Sequence, residues 1–277
     1  MYKKLTGEVF TILRSRGFTI IKAIMIPFLI LTGIGFAIGF FQGVNLQTST
    51  NGIMFPLMLS IYFIICIPIG VIMAMMMYRG SSGNDNNFRE LCSFTSTIKS
   101  GNIWRFITNT VLLILIIAVL WVALTFIASI LLGLFGGSSK YITIIMFACL
   151  FAIFFVYCRL LIVLPASAIG DKISFKEALR LTKDYNFLSI YMLAILPILF
   201  GILFNLLMYA IGIILMGIST ELLIVTALIA IFVNVIMGVI TSLFVNICIS
   251  RLYKFVIQKD NEKKESNSQY INDELNN

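Results

Sequence analysis

The chain has 277 residues, 60% of them apolar and only 12% charged, with a mean hydropathy of +1.04. Soluble domains sit nearer ~45–50% apolar and ~25% charged, so the composition excludes a soluble globular protein and implies an integral membrane protein. The formal net charge is +8 and histidine is absent, which removes metal chemistry of the HExxH type.

Six apolar segments, near 19–41, 53–78, 104–135, 141–165, 188–216 and 222–250, are each long enough to cross a hydrocarbon core, which takes ~20 helical residues. Helices suit lipid because each satisfies its own backbone hydrogen bonds. The first segment is too long for a secretory signal and no small-x-small cleavage site follows it, so it reads as a retained helix. The expected fold is therefore an all-α integral membrane protein of six transmembrane helices, with its membrane domain over 1–257.

Charge sets the orientation. With these spans, nineteen of the twenty basic residues and eleven of the twelve acids fall on one side, leaving Lys140 and Glu221 on the other. The positive-inside rule puts the basic side, both termini and Cys92 in the cytoplasm, and Ser138 outside. The outer connections, near 42–52, 136–140 and 217–221, are short and rich in Gly, Ser, Thr and Asn. They leave little surface for an external ligand.

The inner connections repeat. Asn87-Phe88-Arg89-Glu90-Leu91 echoes Ser174-Phe175-Lys176-Glu177-Ala178: a capping residue, Phe, a base, then Glu at the third helical position. Both read as capping boxes opening short amphipathic helices, over 87–99 and 174–186, that lie along the membrane surface. In the second, Phe175, Ala178, Leu179, Thr182, Tyr185 and Leu188 share one face, and Lys176, Glu177, Arg180, Lys183 and Asp184 the other. A weaker copy around Glu8 completes three tandem units, each a surface helix followed by a helical hairpin. From Gln258 to Asn277 the chain is polar, charged on both signs and expected to be a disordered cytoplasmic tail.

Chemistry has little to stand on. No Asp, Glu, Lys or Arg sits at mid-depth in a span, and neither GxSxG nor GxxxxGK[ST] occurs. The five cysteines form no CxxC pair and read as small packing residues. Asn109, Asn205, Asn234 and Asn246 read as glue between helices; lining one cavity, they would instead suit a transporter or permease component using neutral polar groups. An enzyme would have only Asp171, Glu177 and Asp184, so none is expected, and no cofactor, metal or nucleic-acid partner.

The connection from Arg159 to Phe187 carries the densest basic group. Arg159, Lys172, Lys176, Arg180 and Lys183 are the candidate contacts for anionic phospholipid, offset by only three acids. Arg159-x-x-Ile162-x-x-Pro165, followed by Asp171, Ser174 and Glu177-Ala178-Leu179, resembles a segment of a bacterial family of six-helix membrane proteins. It is similar to the membrane domain of glycerophosphodiester phosphodiesterases and to free-standing uncharacterised relatives. This chain departs from that pattern at Thr182, usually serine, and near Asn186, usually glycine. The resemblance implies a multi-pass module of the bacterial cytoplasmic membrane without catalysis. The functional expectation is a non-enzymatic inner-membrane protein whose basic face engages anionic lipid or a membrane or cytoplasmic protein partner.

In a background lacking the native cysteines, Ser138→Cys is expected to react with an impermeant maleimide in whole cells. Reaction only after permeabilisation would reverse the topology.

Overall fold

A computed structural model of the chain describes the backbone of residues 1–45, 54–82, 88–134, 139–216 and 223–275, and these are helical almost throughout. Two long helices open the chain, α1 (Tyr2–Asn45) and α2 (Met54–Ser82), followed by the short α3 (Phe88–Leu91) and α4 (Phe94–Lys99). A hairpin of α5 (Ile103–Leu134) and α6 (Ser139–Leu160) leads into α7 (Val163–Ile169) and α8 (Phe175–Thr182). The chain ends with α9 (Asn186–Ile190), α10 (Leu196–Met216) and α11 (Leu223–Leu275).

Among the described residues five stretches are long and apolar enough to cross a membrane: Tyr2–Gly35, Ile103–Gly133, Thr143–Ile169, Phe175–Leu207 and Ile236–Gln269. The second expected segment coincides with α2, a helix of 29 residues. The outer connections, Ser138 and Asn87 lie wholly or partly outside the described residues.

Prolines explain two interruptions. Pro165 has no N–H to give the Leu161 carbonyl, so the helix breaks at Leu161–Ile162 and restarts as α7. Pro197 leaves the Leu193 carbonyl without its partner in the same way, and the turn before it, Tyr191–Ile195, widens to a π-helix in which Leu196 N–H donates to the Tyr191 carbonyl. Gly170 ends α7 in the left-handed region at φ +100°, with its own N–H and that of Asp171 on the Ala166 carbonyl at 3.1 and 2.9 Å.

The core gathers at one end of the bundle. The first half of α1 (Leu5, Val9, Ile20, Ile24), the end of α2 (Met75–Tyr78), the α6–α7 junction (Leu160–Val163), Leu188, Met192 and the middle of α11 (Leu243–Tyr253) interlock there. Phe200 stacks on Phe244 with ring centroids 4.0 Å apart and planes within 5°. The α5–α6 hairpin is bare by comparison: Val119, Phe126 and Phe147 are all strongly exposed. Such faces suit a hydrocarbon solvent rather than water.

Three expectations change. The amphipathic segment around Glu8 is not a separate surface helix, because α1 runs unbroken from Tyr2 through the first apolar segment. Residues 87–99 do not form one helix either. A break at Cys92–Ser93 lets the thiol seat against Gly80, where a Cβ would come within 2.3 Å of Sγ, and Ser93 becomes the N-cap of α4 by accepting from Ser96 N–H at 3.1 Å. Finally, the expected disordered tail is helix as far as Leu275. The preceding span has already nucleated it, so each added residue needs only propagation. Lys259–Glu262 (2.5 Å) and Lys264–Asp260 (2.7 Å) pair along its surface.

Gly170→Ala is expected to cost about 1–2 kcal/mol, because a side chain at positive φ is strained and its Cβ would meet Asn102 Nδ2 at 3.0 Å. Gly7→Ala, with open space inside a helix, should be neutral or stabilise. Thermal unfolding in detergent separates the two; equal midpoints would contradict the cap.

Candidate functional site

Four cross-element polar contacts of the charged end trace back to helix termini. The last four carbonyls of a helix lack intrahelical partners and carry the negative end of its dipole. Four arginines supply donors to carbonyls at such ends, one of which, Ser96, also accepts from Ser100 N–H at 3.1 Å. Arg16 Nη1 reaches the Gly80 carbonyl in the last turn of α2 (3.4 Å), and Arg79 Nη1 reaches the Ser96 carbonyl in the last turn of α4 (3.0 Å). Arg105 Nη1 donates to the Gly170 carbonyl at the end of α7 (3.0 Å). Arg159 donates to the Leu179 carbonyl of α8 through Nη2 and to the Thr182 hydroxyl through Nε (3.1 Å). The pairs Arg16–Gly80 and Arg105–Gly170 have sequence separations of 64 and 65, so two successive hairpins are clasped at matching places.

Of the five candidate lipid contacts, then, Arg159 is a strut. It joins α6 to the end of α8, with its guanidinium 5.8 Å from the Phe155 ring centroid. The other four stand on the surface. Lys172, Lys176 and Lys183 are exposed. Arg180, also exposed, lies 3.6 Å from Glu177 and 4.0 Å from Asp260 of α11.

Ser174 caps α8 as its position suggests, with extended φ and ψ and its hydroxyl accepting from Glu177 N–H at 3.2 Å. Glu177 itself turns to Arg180. The face of α8 that is buried, Ala178, Leu181 and Thr182, packs against α6 and α11, while Phe175 and Leu179 are only partly covered. Leu181 therefore belongs to the covered face, which the six-residue spacing pattern assigned without it.

The C-terminal extension of α11 closes over this connection. Tyr253 donates to the Asp171 carboxylate, Tyr185 and Phe255 meet edge to face at 5.5 Å, and Lys263 Nζ sits 2.6 Å from Asp184. Arg251 of α11 lies 3.8 Å from Glu8 of α1. Asp171, Glu177 and Asp184 thus each hold a different partner and form no shared acid–base cleft through these contacts. The asparagines are similarly dispersed. Asn205 is exposed and donates to its own helix at Gly201, Asn234 is exposed, and Asn246 is buried against Met77 Sδ at 3.1 Å.

Cys92 is buried between the arginine clasps. Desolvation pushes its thiol up to about 11, although Arg16 and Arg79 pull the other way. It stays protonated at neutral pH, which is the state of a packing residue rather than a nucleophile. Among the described residues no group of His, Cys, Asp and Glu could hold a metal ion.

The arginine clasps escape a sequence reading that counts Arg and Lys alike as topology signals. The available signal was position: Arg79 and Arg159 close an apolar segment and Arg105 opens one, so each stands beside the polar connections where helix ends gather.

Comparison with family models, curated proteins and solved structures found no match, so the resemblance of residues 159–187 rests on those residues alone.

Arg159→Lys keeps the charge but loses the two-pronged contact. It is expected to reduce stability by about 1.5–3 kcal/mol, the worth of hydrogen bonds to a charged group. Arg180→Lys should change it by less than about 0.5 kcal/mol, as surface substitutions do. Matching thermal midpoints for Arg159→Lys and wild type would remove the strut.

Proposed function

We propose that this is a non-enzymatic multi-pass protein of the bacterial cytoplasmic membrane, with six spans and both termini cytoplasmic. Its basic inner face engages anionic phospholipid. α2 supplies the sixth span, in keeping with its length and its apolar composition. The observation that carries the reading is a division of labour among the cations. Arginines 16, 79, 105 and 159 are committed to helix ends, while Lys172, Lys176 and Lys183 remain exposed, without an ion pair among the described residues.

Lysine suits a fluid lipid surface. Its compact ammonium on a flexible stem meets a phosphate as a point charge, without the fixed geometry of a guanidinium. Each such charge near an anionic leaflet contributes about 1 kcal/mol. The amphipathic connection then rests beside the head groups by its lysine-bearing rim, with its apolar face turned into the protein.

Replacing Lys172, Lys176 and Lys183 together by Gln is expected to lower the phosphatidylglycerol or cardiolipin retained in native mass spectra. The difference should shrink as salt shortens the screening length. Unchanged retention with unfolding midpoints intact would leave these lysines as topology signals only.

A further inference from the structure

Among the described residues the three most exposed large apolar side chains are Phe187 (81%), Phe18 (79%) and Trp104 (76%). They are not scattered. Each stands where a charged connection gives way to the first apolar helix of a hairpin, so each of the three units contributes one. Phe18 follows the Arg16 clasp by two residues, Trp104 precedes the Arg105 clasp by one, and Phe187 opens α9 between Tyr185 and Tyr191, which both contact other elements. All three therefore belong to the charged end of the bundle. An exposed lysine lies nearby in each case: Lys22 one turn beyond Phe18, Lys99 before Trp104, and Lys183 one turn before Phe187.

Holding a ring this exposed in water is unfavourable in proportion to its apolar area, and its recurrence once per unit calls for a common occupant. A ring at the boundary of charge and hydrocarbon, with a lysine nearby in the chain, fits the headgroup and acyl boundary of a phospholipid leaflet, where the lysine can reach the phosphate. We propose that Phe18, Trp104 and Phe187 are three equivalent anchors that seat the charged end of the protein at one depth in the inner leaflet. This deepens the membrane reading given above and rests on it. It also explains why α1 is unbroken while the other two units begin with separate short helices. What recurs is the exposed ring at the start of each hairpin, and the shape of the preceding segment is free to differ.

Depth-dependent fluorescence quenching tests the proposal. Three proteins would each carry one tryptophan, at 18, 104 or 187 (Phe18→Trp, native Trp104, Phe187→Trp), with Trp104 and Trp121 otherwise replaced by Phe. A fourth keeps only Trp121, inside α5. Each is reconstituted into phosphatidylcholine–phosphatidylglycerol vesicles containing lipids brominated at shallow or deep chain positions. The anchors should share one emission maximum and lose most emission to the shallow bromines, while Trp121 loses most to the deep ones. If Trp121 is not quenched by deep bromines, the membrane-crossing reading fails and the anchors with it. If Trp121 behaves as a buried span residue but the three rings differ in depth, emit as in water, or are shielded from every bromolipid, the anchor proposal alone is overturned.

Discussion

Arginine bound to the open end of a neighbouring helix is the contact on which this structure depends. A helix terminus leaves carbonyls that water would normally satisfy, and at the charged end of this bundle many of them are covered. Guanidinium answers that need with five donors and a charge that complements the helix dipole. The reverse need is met as well. Arg16 and Arg79 are only 6% and 8% exposed, and a buried cation is tolerated when its N–H groups are hydrogen-bonded. Removing either side of such a pair strands the other.

Cohesion is consequently uneven along the molecule. The buried residues of α1, α2, α7 and α11 cluster around the clasps, whereas α5 exposes most of its length. Apolar side chains gain little by leaving lipid for one another, so helices in a bilayer associate through packing and polar contacts. Among the described residues most polar contacts between helices lie at the charged end, and so does the packing. The bare α5–α6 hairpin is joined to the rest through α7, α8 and α9, with Arg105 on the Gly170 carbonyl and Arg159 on the end of α8.

How much of this was legible depends on the range of the physics involved. Helical character and span positions follow from local hydropathy, and the Ser174 cap from a four-residue pattern. The capped helix was legible, but its partner was not: an apolar face looks the same whether it meets lipid or α6 and α11. The spacing pattern also leaves out Leu181, because Ala178, Leu179, Leu181 and Thr182 together span too wide an arc to reveal which half is covered. Arg159 was legible as a cation near an interface, whereas its commitment to Leu179 and Thr182 arises only when α6 and α8 cross. The tail from Gln258 has the composition of a disordered segment, and its helix is inherited from the span before it and steadied by contacts such as Lys263–Asp184. Such inheritance leaves no compositional trace.

Arginines face helix ends here, and in the proposed function the lysines face lipid. A density map of the protein in nanodiscs containing phosphatidylglycerol would examine both at once. The guanidinium groups of Arg16, Arg79, Arg105 and Arg159 should merge with the densities of the Gly80, Ser96, Gly170 and Leu179 carbonyls, and head-group density should lie beside Lys172, Lys176 and Lys183. Head-group density on the four guanidiniums, with those carbonyls turned to solvent, would contradict the account.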